Sequence, residues 1–373
     1  MYFHIILTEN CNSRCRYCYE KSEKEFGEKL NKKFKFDFSC PEESEINVRE
    51  LRKFILKDKN PKIIFYGGEP LMNINKIIEI MDEIPEARYY MQTNGKLLNK
   101  LPKQYLQKFS KILISVDGEK ERTDFNRGKG TYDLIIKNIE LARKNSFKGE
   151  IVARMTISFT DGFTDLFNQI KNLINSGKFN SYHWQLDLGF YESDYDKEKV
   201  AKFLKNYNKD VSNLLDFWVS EMRRGKVWRI YPFLGIFDSL YHGTKTKLRC
   251  GSGYANYSIT TDGKIVACPI TSGIKEFQVG NIKENNPNEL EEIKIKEPCP
   301  SCEYFNLCGG RCLYSNYAKL WPEEGQEQIC SSIKYLINEM KKRLPEIKSL
   351  IDDGIVDEDW FSYEKYFGPE IIP

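Results

Sequence analysis

The chain has 373 residues, 40% of them hydrophobic and 13% aromatic, and a formal net charge of +3 from 57 basic and 54 acidic residues. This length predicts about two domains with a large core, and the balanced charge excludes a strongly basic surface for nucleic acid or an anionic membrane. No stretch approaches the roughly 20 apolar residues that span a bilayer, and the start MYFHIILTENC lacks signal-peptide features. We therefore expect a cytoplasmic protein that binds neither nucleic acid nor membrane.

Six short apolar strands are predicted in the first half of the chain. They are FHIIL (3–7), KIIFY (62–66), ARYYM (87–91), KILISV (111–116), IVARMTIS (151–158) and SYHWQLDL (181–188). Between them lie segments with apolar residues at helical spacing, as from 132 to 142. Alternating β and α units predict an α/β fold with a parallel sheet, and six units favour a partial barrel over a closed eight-stranded one.

The carboxyl ends of these strands carry the polar and glycine-rich signals of the sequence. Those positions read ENCNSRCRYC after the first strand, GGEP after the second, QTNG after the third and DG after the fourth. Because the carboxyl ends of parallel strands meet at one edge of a sheet, and ligands bind there in such folds, we expect the functional site at this edge.

The remaining segments give weaker signals. Residues 20–45 form a charged insertion that we interpret as a surface loop, and residues 190–245 are helical in pattern. Another helix is predicted around 331–344. The acidic, aromatic tail from 351 either docks on the body or is partly disordered.

Eleven cysteines stand at 11, 15, 18 and 40 and at seven positions between 250 and 330. Disulfides are rare in a reducing cytosol, so ligation of a metal or a cluster explains them better. Cys11, Cys15 and Cys18 have no fourth cysteine nearby; a [4Fe-4S] cluster held by three thiolates keeps one iron open, whereas structural zinc needs four ligands. For CPSCEYFNLCGGRC (299–312), considered without the N-terminal half, zinc and iron-sulfur ligation both stay open.

A known family shares the N-terminal pattern. The run Cys11, Cys15, Cys18 with Tyr17 matches the C-x3-C-x-aromatic-C signature of radical S-adenosylmethionine (SAM) enzymes, and the GGEP segment follows in the expected order. Residues 114–133 resemble the fourth-strand region of the peptide-modifying branch. The resemblance implies a partial (β/α)6 radical SAM barrel in which the three cysteines hold a [4Fe-4S] cluster that cleaves bound SAM.

The resemblance also implies SAM-binding residues. Gly67, Gly68, Glu69 and Pro70 would meet the amino group of the methionine moiety, and Ser115 and Arg127 would hold its carboxylate and ribose. Read without the resemblance, Glu69 caps a helix and Arg127 is a surface residue. Further cofactor-binding candidates are Tyr17, Thr93, Asn94, Asp117 and Arg154.

The seven C-terminal cysteines, in the order C, G-x4-C, C-x2-C-x5-C-x3-C and C, resemble the SPASM extension of radical SAM enzymes. That extension holds two auxiliary [4Fe-4S] clusters, which makes three clusters with the one in the barrel. The resemblance implies one auxiliary cluster on Cys299, Cys302, Cys308 and Cys330, and another on Cys250, Cys268 and Cys312. Cys40 is left over: it completes the second cluster, acts catalytically as a hydrogen-atom donor, or is an ordinary thiol.

The predicted domains are a radical SAM core (1–190), a helical bridging region (191–245), a cysteine-rich SPASM domain (246–345) and an acidic tail (346–373). The family implies an oxidoreductase that reductively cleaves SAM to a 5′-deoxyadenosyl radical and abstracts hydrogen from a ribosomally made peptide or protein. It then forms a crosslink such as a thioether, with the auxiliary clusters accepting an electron. Peptide epimerisation, or action on a small-molecule or cofactor precursor, is the alternative.

Sulfatase maturation is disfavoured, because Pro269 stands where that group carries an aspartate, and no extra cysteine follows Cys250 closely. The expected partners are the precursor peptide or protein and a reductant such as ferredoxin or flavodoxin. A separate leader-binding protein is one of three options for leader recognition, beside the body of the protein and the insertion at 20–45.

Overall fold

A computed structural model describes residues 1–18, 28–162 and 165–368. Its strands are β1 (Tyr2–Ile6), β2 (Lys62–Tyr66), β3 (Arg88–Thr93), β4 (Phe109–Ser115), β5 (Glu150–Ser158), β6 (Ser181–Asp187), β7 (Asn256–Ile259), β8 (Lys264–Val266) and β9 (Gln278–Asn281). Its helices are α1 (Glu28–Lys33), α2 (Val48–Ile55), α3 (Ile74–Glu83), α4 (Lys103–Leu106), α5 (Lys120–Arg127), α6 (Thr131–Lys144), α7 (Leu166–Ser176), α8 (Lys197–Met222), α9 (Tyr231–Tyr241), α10 (Phe305–Cys308), α11 (Leu313–Ala318) and α12 (Glu323–Asp352). Within these ranges no helix has the length and apolar character needed to cross a bilayer.

All six predicted strands are present, with ends shifted by one or two residues. The strand order of the sheet is β6-β5-β4-β3-β2-β1-β7-β8-β9, and β1 to β4 pair in parallel. Strand β7 adds to the other side of β1, also in parallel, and continues into an antiparallel β7-β8-β9 meander. The predicted α/β fold with a parallel sheet is therefore confirmed.

Contacts within the chain divide it into two compact units. Unit 1 comprises residues 1–116, 120–153 and 251–294, and unit 2 comprises residues 117–119, 154–250 and the chain from 295. The domain boundaries predicted at 190, 245 and 345 follow sequence motifs rather than contacts, and they stay predictions.

Unit 1 buries apolar residues from its strands and from one face of each large helix. Every residue of β1 is buried. Helix α6 buries Ile135, Ile139 and Ala142, which share one face at helical spacing, so the helix predicted over 132–142 is confirmed. Helix α2 begins at Asn47, whose side chain accepts hydrogen bonds from the backbone N–H groups of Arg49 and Glu50.

The insertion at 20–45 was expected to be a surface loop, and its described part, residues 28–45, is mostly exposed but includes α1 and a few buried anchoring side chains. Phe34 is 6% exposed, and its ring centroid lies 5.7 Å from that of Phe277. Backbone pairing joins Phe36 to Ile274. This long-range apolar contact and the backbone pairing hold the segment on the meander, because aromatic side chains gain free energy by leaving water. Residues 19–27 lie outside the described part.

Unit 2 confirms the helices predicted between 190 and 245 and around 331–344. Trp218 of α8 contacts Phe233 of α9, with ring centroids 5.4 Å apart. The tail docks on α9 as far as the structure describes it: the ring centroids of Phe361 and Phe237 lie 4.3 Å apart, and Phe367 packs edge-on against Tyr231.

Candidate active site

The three N-terminal cysteines lie on the loop that follows β1, and Asn94 holds this loop from the end of β3. Its side-chain nitrogen donates to Asn12 Oδ1 at 2.7 Å and to Ser13 Oγ at 3.3 Å, and it lies 3.9 Å from Cys11 Sγ. Asn94 thus lies at the edge where the sequence analysis expected the functional site, and its role toward SAM stays a prediction. Its observed contacts are with the cysteine loop.

Arg127, at the end of α5, lies on the other side of this loop. Its Nη1 is 4.0 Å from Cys15 Sγ, and its guanidinium carbon is 5.3 Å from the ring centre of Tyr17. The backbone N–H of Arg16 donates to Asn126 O at 3.0 Å. Arg127 is 7% exposed, so the reading as a surface residue is wrong. Arg127 is thus a buried cation in contact with the cysteine loop.

The GGEP segment after β2 approaches the same loop through its backbone. Gly68 N–H donates to Thr8 O at 2.8 Å, and Glu69 N–H donates to Asn10 O at 2.9 Å. A Cβ atom added at Gly67 or Gly68 would lie 2.3–2.4 Å from a backbone oxygen of the β1 loop. Only glycine fits at such a distance, so both glycines are required by the approach of two backbones.

Glu69 is fully buried and crosslinks the ends of β2 and β3. Its carboxylate accepts hydrogen bonds from Thr93 Oγ1 at 2.6 Å, from Asn94 N at 2.7 Å and from Leu71 N at 3.1 Å. Burial raises the pKa of this carboxyl, while the hydrogen bonds from Thr93, Asn94 and Leu71 oppose the shift. A carboxylate has about four acceptor positions, so Glu69 already uses most of them to position protein, in addition to the predicted SAM contact.

Glu43 is a positioning residue that the sequence analysis missed. It accepts hydrogen bonds from Thr8 Oγ1 at 2.6 Å, Asn10 Nδ2 at 3.1 Å and Asn73 Nδ2 at 2.9 Å. These contacts tie the β1 loop to the segment after GGEP. Glu43 lies within the charged insertion, where nothing in the pattern distinguishes it from its acidic neighbours.

The other cofactor-binding candidates occupy separate positions. Ser115 ends β4 in unit 1 and is partly exposed. Asp117, in unit 2, is fully buried and accepts from Thr156 N at 3.1 Å. Arg154, also in unit 2, donates to Gln185 Oε1 at 2.8 Å. Their roles toward SAM stay predictions.

Four C-terminal cysteines form one neighbourhood within unit 2. Burial, together with the charges of Cys308, Cys330 and Cys302, raises the pKa of Cys299 to about 11. Asn316 Nδ2 lies 3.5 Å from Cys299 Sγ. The structure thus brings together the four cysteines that were predicted to share an auxiliary cluster.

This neighbourhood has the donor set that an iron-sulfur cluster requires. Backbone N–H groups of Gly310 and Arg311 donate to the Cys308 thiol, and such N–H to sulfur bonds stabilise cluster-bound thiolates. None of the eleven cysteines, all of which are described, forms a disulfide. Among the described residues, no group of three or more His, Cys, Asp or Glu side chains is placed to hold a single metal ion. The fit of this neighbourhood to a cluster therefore rests on the four thiols and on the N–H groups that donate to Cys308.

The three cysteines predicted to hold the second auxiliary cluster do not all belong to the same unit. Cys250 is buried in unit 2, and Cys312 immediately precedes α11 in the same unit. Cys268 is buried in unit 1, where it precedes the short helical turn Pro269–Thr271. Their grouping around one cluster stays a prediction.

Cys40 lies against the β7-β8 turn in unit 1. Its Sγ is 4.0 Å from Lys264 Nζ, and Lys264 also pairs with Asp262 at 2.7 Å. Burial and the Asp262 charge raise the pKa of Cys40 to about 11, and Lys264 opposes this. The three roles predicted for Cys40 stay predictions.

We expect Cys40→Ser to keep the full iron and sulfide content of anaerobically prepared enzyme, because the other ten cysteines supply the predicted ligands of all three clusters. Chemical iron and sulfide assays measure this, with Cys11→Ser as the matched control that loses about four irons. Loss of iron from Cys40→Ser, comparable with that of the control, would identify Cys40 as a ligand.

The fold and the cysteine site together identify the class of enzyme. A sheet of parallel strands with a three-cysteine loop at its carboxyl edge, backed by GGEP, is the arrangement of a radical SAM core, and the model of the Radical SAM superfamily matches residues 5–168. The protein is a radical SAM enzyme, and the family implies SAM and a [4Fe-4S] cluster as its cofactors.

Its relatives are SPASM-type enzymes over most of the chain. It is 24% identical over 333 residues to a cysteine-type anaerobic sulfatase-maturating enzyme of Clostridium perfringens, covering 82% of this chain and 86% of that one. It is also 24% identical over 380 residues to the radical SAM cyclopropyl synthase TigE of Paramaledivibacter caminithermalis, covering 91% and 73%.

A solved structure shares the fold. Native anSMEcpe with bound AdoMet and Cp18Cys peptide superposes with a TM-score of 0.67 at 20% identity, over 94% of this chain and 99% of that one. This likeness confirms the predicted partial radical SAM barrel with a cysteine-rich C-terminal region.

Proposed function

We propose that this radical SAM enzyme modifies a ribosomally made peptide or protein by forming a crosslink such as a thioether. The observation that carries the proposal is the neighbourhood of Cys299, Cys302, Cys308 and Cys330, since a second cluster site in addition to the one predicted on Cys11, Cys15 and Cys18 suits a reaction that removes an electron from its substrate. The solved anSMEcpe holds a peptide beside AdoMet, which supports a peptide substrate here.

Residues of this chain would bind the SAM-cleaving cluster and hold the loops around it. When bound, the SAM-binding cluster supplies an electron for reductive cleavage of SAM, which yields the carbon radical that starts the reaction. Cys11, Cys15 and Cys18 would hold that cluster, with Arg127 next to Cys15. Glu69 and Asn94 fix the surrounding loops.

The C-terminal cysteines would hold two further clusters in a SPASM domain spanning about residues 246–345. Cys299, Cys302, Cys308 and Cys330 would bind one cluster completely. Cys250, Cys268 and Cys312 would bind the other, leaving one iron for a substrate thiolate. The relative named cyclopropyl synthase forms bonds, which supports bond formation, and Pro269 argues against sulfatase maturation because it supplies no carboxylate.

The partners follow from the same chemistry. A one-electron reductant such as ferredoxin or flavodoxin would supply the electron for SAM cleavage, and a leader segment of the precursor would bind this protein or a separate leader-binding protein.

Anaerobic enzyme with SAM, a chemical reductant and candidate short peptides encoded near it tests the proposal by mass spectrometry. A crosslink gives a SAM-dependent mass loss of two hydrogen atoms, and Cys11→Ala abolishes it. Epimerisation instead gives no change in water and a gain of one mass unit in deuterated water. Conversion of a small molecule, with no peptide modified, would overturn the proposal.

A further inference from the structure

Asp187 is the last residue of β6, at the carboxyl end of a strand of the barrel. Ligands of parallel α/β sheets bind at these ends. The residue is enclosed by protein but keeps part of its surface open. It is therefore placed to contact a molecule bound at the edge of the sheet.

Arg311 fixes the backbone around this carboxyl group. Its Nη2 lies 3.4 Å from Leu186 O and 3.3 Å from Leu188 O, the carbonyls on either side of Asp187. Arg311 itself precedes Cys312, with a left-handed φ of 57°. The end of β6 is thus fastened to the segment that bears Cys308 and Cys312, all within unit 2.

The charged and polar groups near Asp187 change the pKa of its carboxyl group. Burial and the Asp194 carboxylate raise its pKa to about 7, with a further contribution from Asp161, whereas a hydrogen bond from Ser158 and the charge of Arg311 lower it. A carboxyl group with this pKa can both accept and release a proton near neutral pH.

The neighbouring carboxyls have other roles. Asp194 accepts from the Trp321 indole N–H at 2.6 Å, and Asp161 is buried. Among these three carboxyls, Asp187 combines a position at the strand end, a fixed backbone and an open face.

We propose that Asp187 is a catalytic residue that contacts the peptide and accepts the proton that a substrate thiol loses before the carbon-sulfur bond forms. This rests on the proposed function. The carbon-hydrogen bond breaks with transfer of its hydrogen atom to the SAM-derived 5′ carbon, and the thiol S–H breaks with transfer of its proton to Asp187. The carbon-sulfur bond then forms, and the one remaining electron passes to an iron-sulfur cluster.

The test compares Asp187→Asn with Asp187→Glu. Asp194→Asn, which removes a charge that raises the pKa of Asp187, should keep the product and move the pH dependence of its formation to lower pH. A peptide deuterated at the reacting carbon reports hydrogen abstraction through deuterium in 5′-deoxyadenosine, and mass spectrometry reports the crosslink. Asp187→Asn should lower crosslink formation about 100-fold or more and slow deuterium transfer far less, at unchanged iron content. Asp187→Glu should restore part of the product.

The pH dependence of product formation tests the proposal independently. Because the base must be deprotonated, product formation in the unmodified enzyme should rise with pH through about 7, and Asp187→Asn should remove this rise. Normal product and an unchanged profile in Asp187→Asn would overturn the proposal, as would an equal loss of deuterium transfer and product. An unmodified enzyme that changes no peptide mass overturns the proposed function itself, before any variant is compared.

Discussion

Cys308→Ala is expected to remove about four irons per chain and to lower crosslinked product at least 100-fold, while SAM cleavage persists. Cys308 shares its neighbourhood with Cys299, Cys302 and Cys330, and its thiol accepts two backbone N–H donors. The SAM-cleaving cluster depends on other ligands, so it should survive. Iron analysis and 5′-deoxyadenosine assays on anaerobic enzyme measure the two effects.

Cys312→Ala is the matched variant for this prediction. The segment 299–312 was assigned to two clusters, so each single variant should lose about four irons and the double variant about eight. If the double variant loses no more iron than either single one, the four cysteines of this segment serve one cluster, and the predicted division is wrong.

Gly68→Ala is expected to destabilise the enzyme by about 3 kcal/mol and to weaken SAM binding at least tenfold, which is about 1.4 kcal/mol. Its Cβ would lie 2.4 Å from Asn10 O and 2.6 Å from Glu9 O. These are backbone atoms directly before Cys11, so relief of the clash must move the cysteine loop. Denaturant unfolding and equilibrium SAM binding measure the result.

Gly177→Ala provides the comparison. Gly177 has a φ of +63°, with nothing within 4 Å of an added Cβ, so alanine there costs only the left-handed backbone, about 1–2 kcal/mol. Its SAM affinity should equal that of the unmodified enzyme. Equal SAM affinity for Gly68→Ala would show that the approach of the two backbones does not position the site.

The sequence predicted those parts of the molecule that local patterns encode. The strands of the barrel are short apolar runs between polar segments, which is why β1, with every residue buried, was recognisable. The Cys11, Cys15 and Cys18 spacing and GGEP are contiguous motifs whose chemistry limits the choice of residues. The four-cysteine set was predicted from the resemblance of the C-terminal cysteine series to the SPASM extension, because each member has a recognisable place in that series.

Contacts between distant segments could not be predicted in this way. Phe34 and Phe277 are both ordinary apolar residues, and nothing in either segment identifies the other as its partner. Likewise, nothing in the four residues NYSI of β7 predicts that this strand pairs with β1. Asp187 had one usable signal, a charged residue ending a buried strand, but its acidity depends on Ser158, Asp161 and Arg311, which only the fold brings near.

The pairing of β7 with β1 has a consequence for biosynthesis. Tyr2 pairs with Asn256. Strand β1, which leads to the cysteine loop, therefore stays unpaired on this side until β7, about 250 residues later, has been synthesised. At a translation rate of roughly 5–20 residues per second, this edge stays open for about 10–50 s. A nascent chain is thus exposed to edge-to-edge association in that interval, and a fragment ending near residue 190 would keep the open edge permanently.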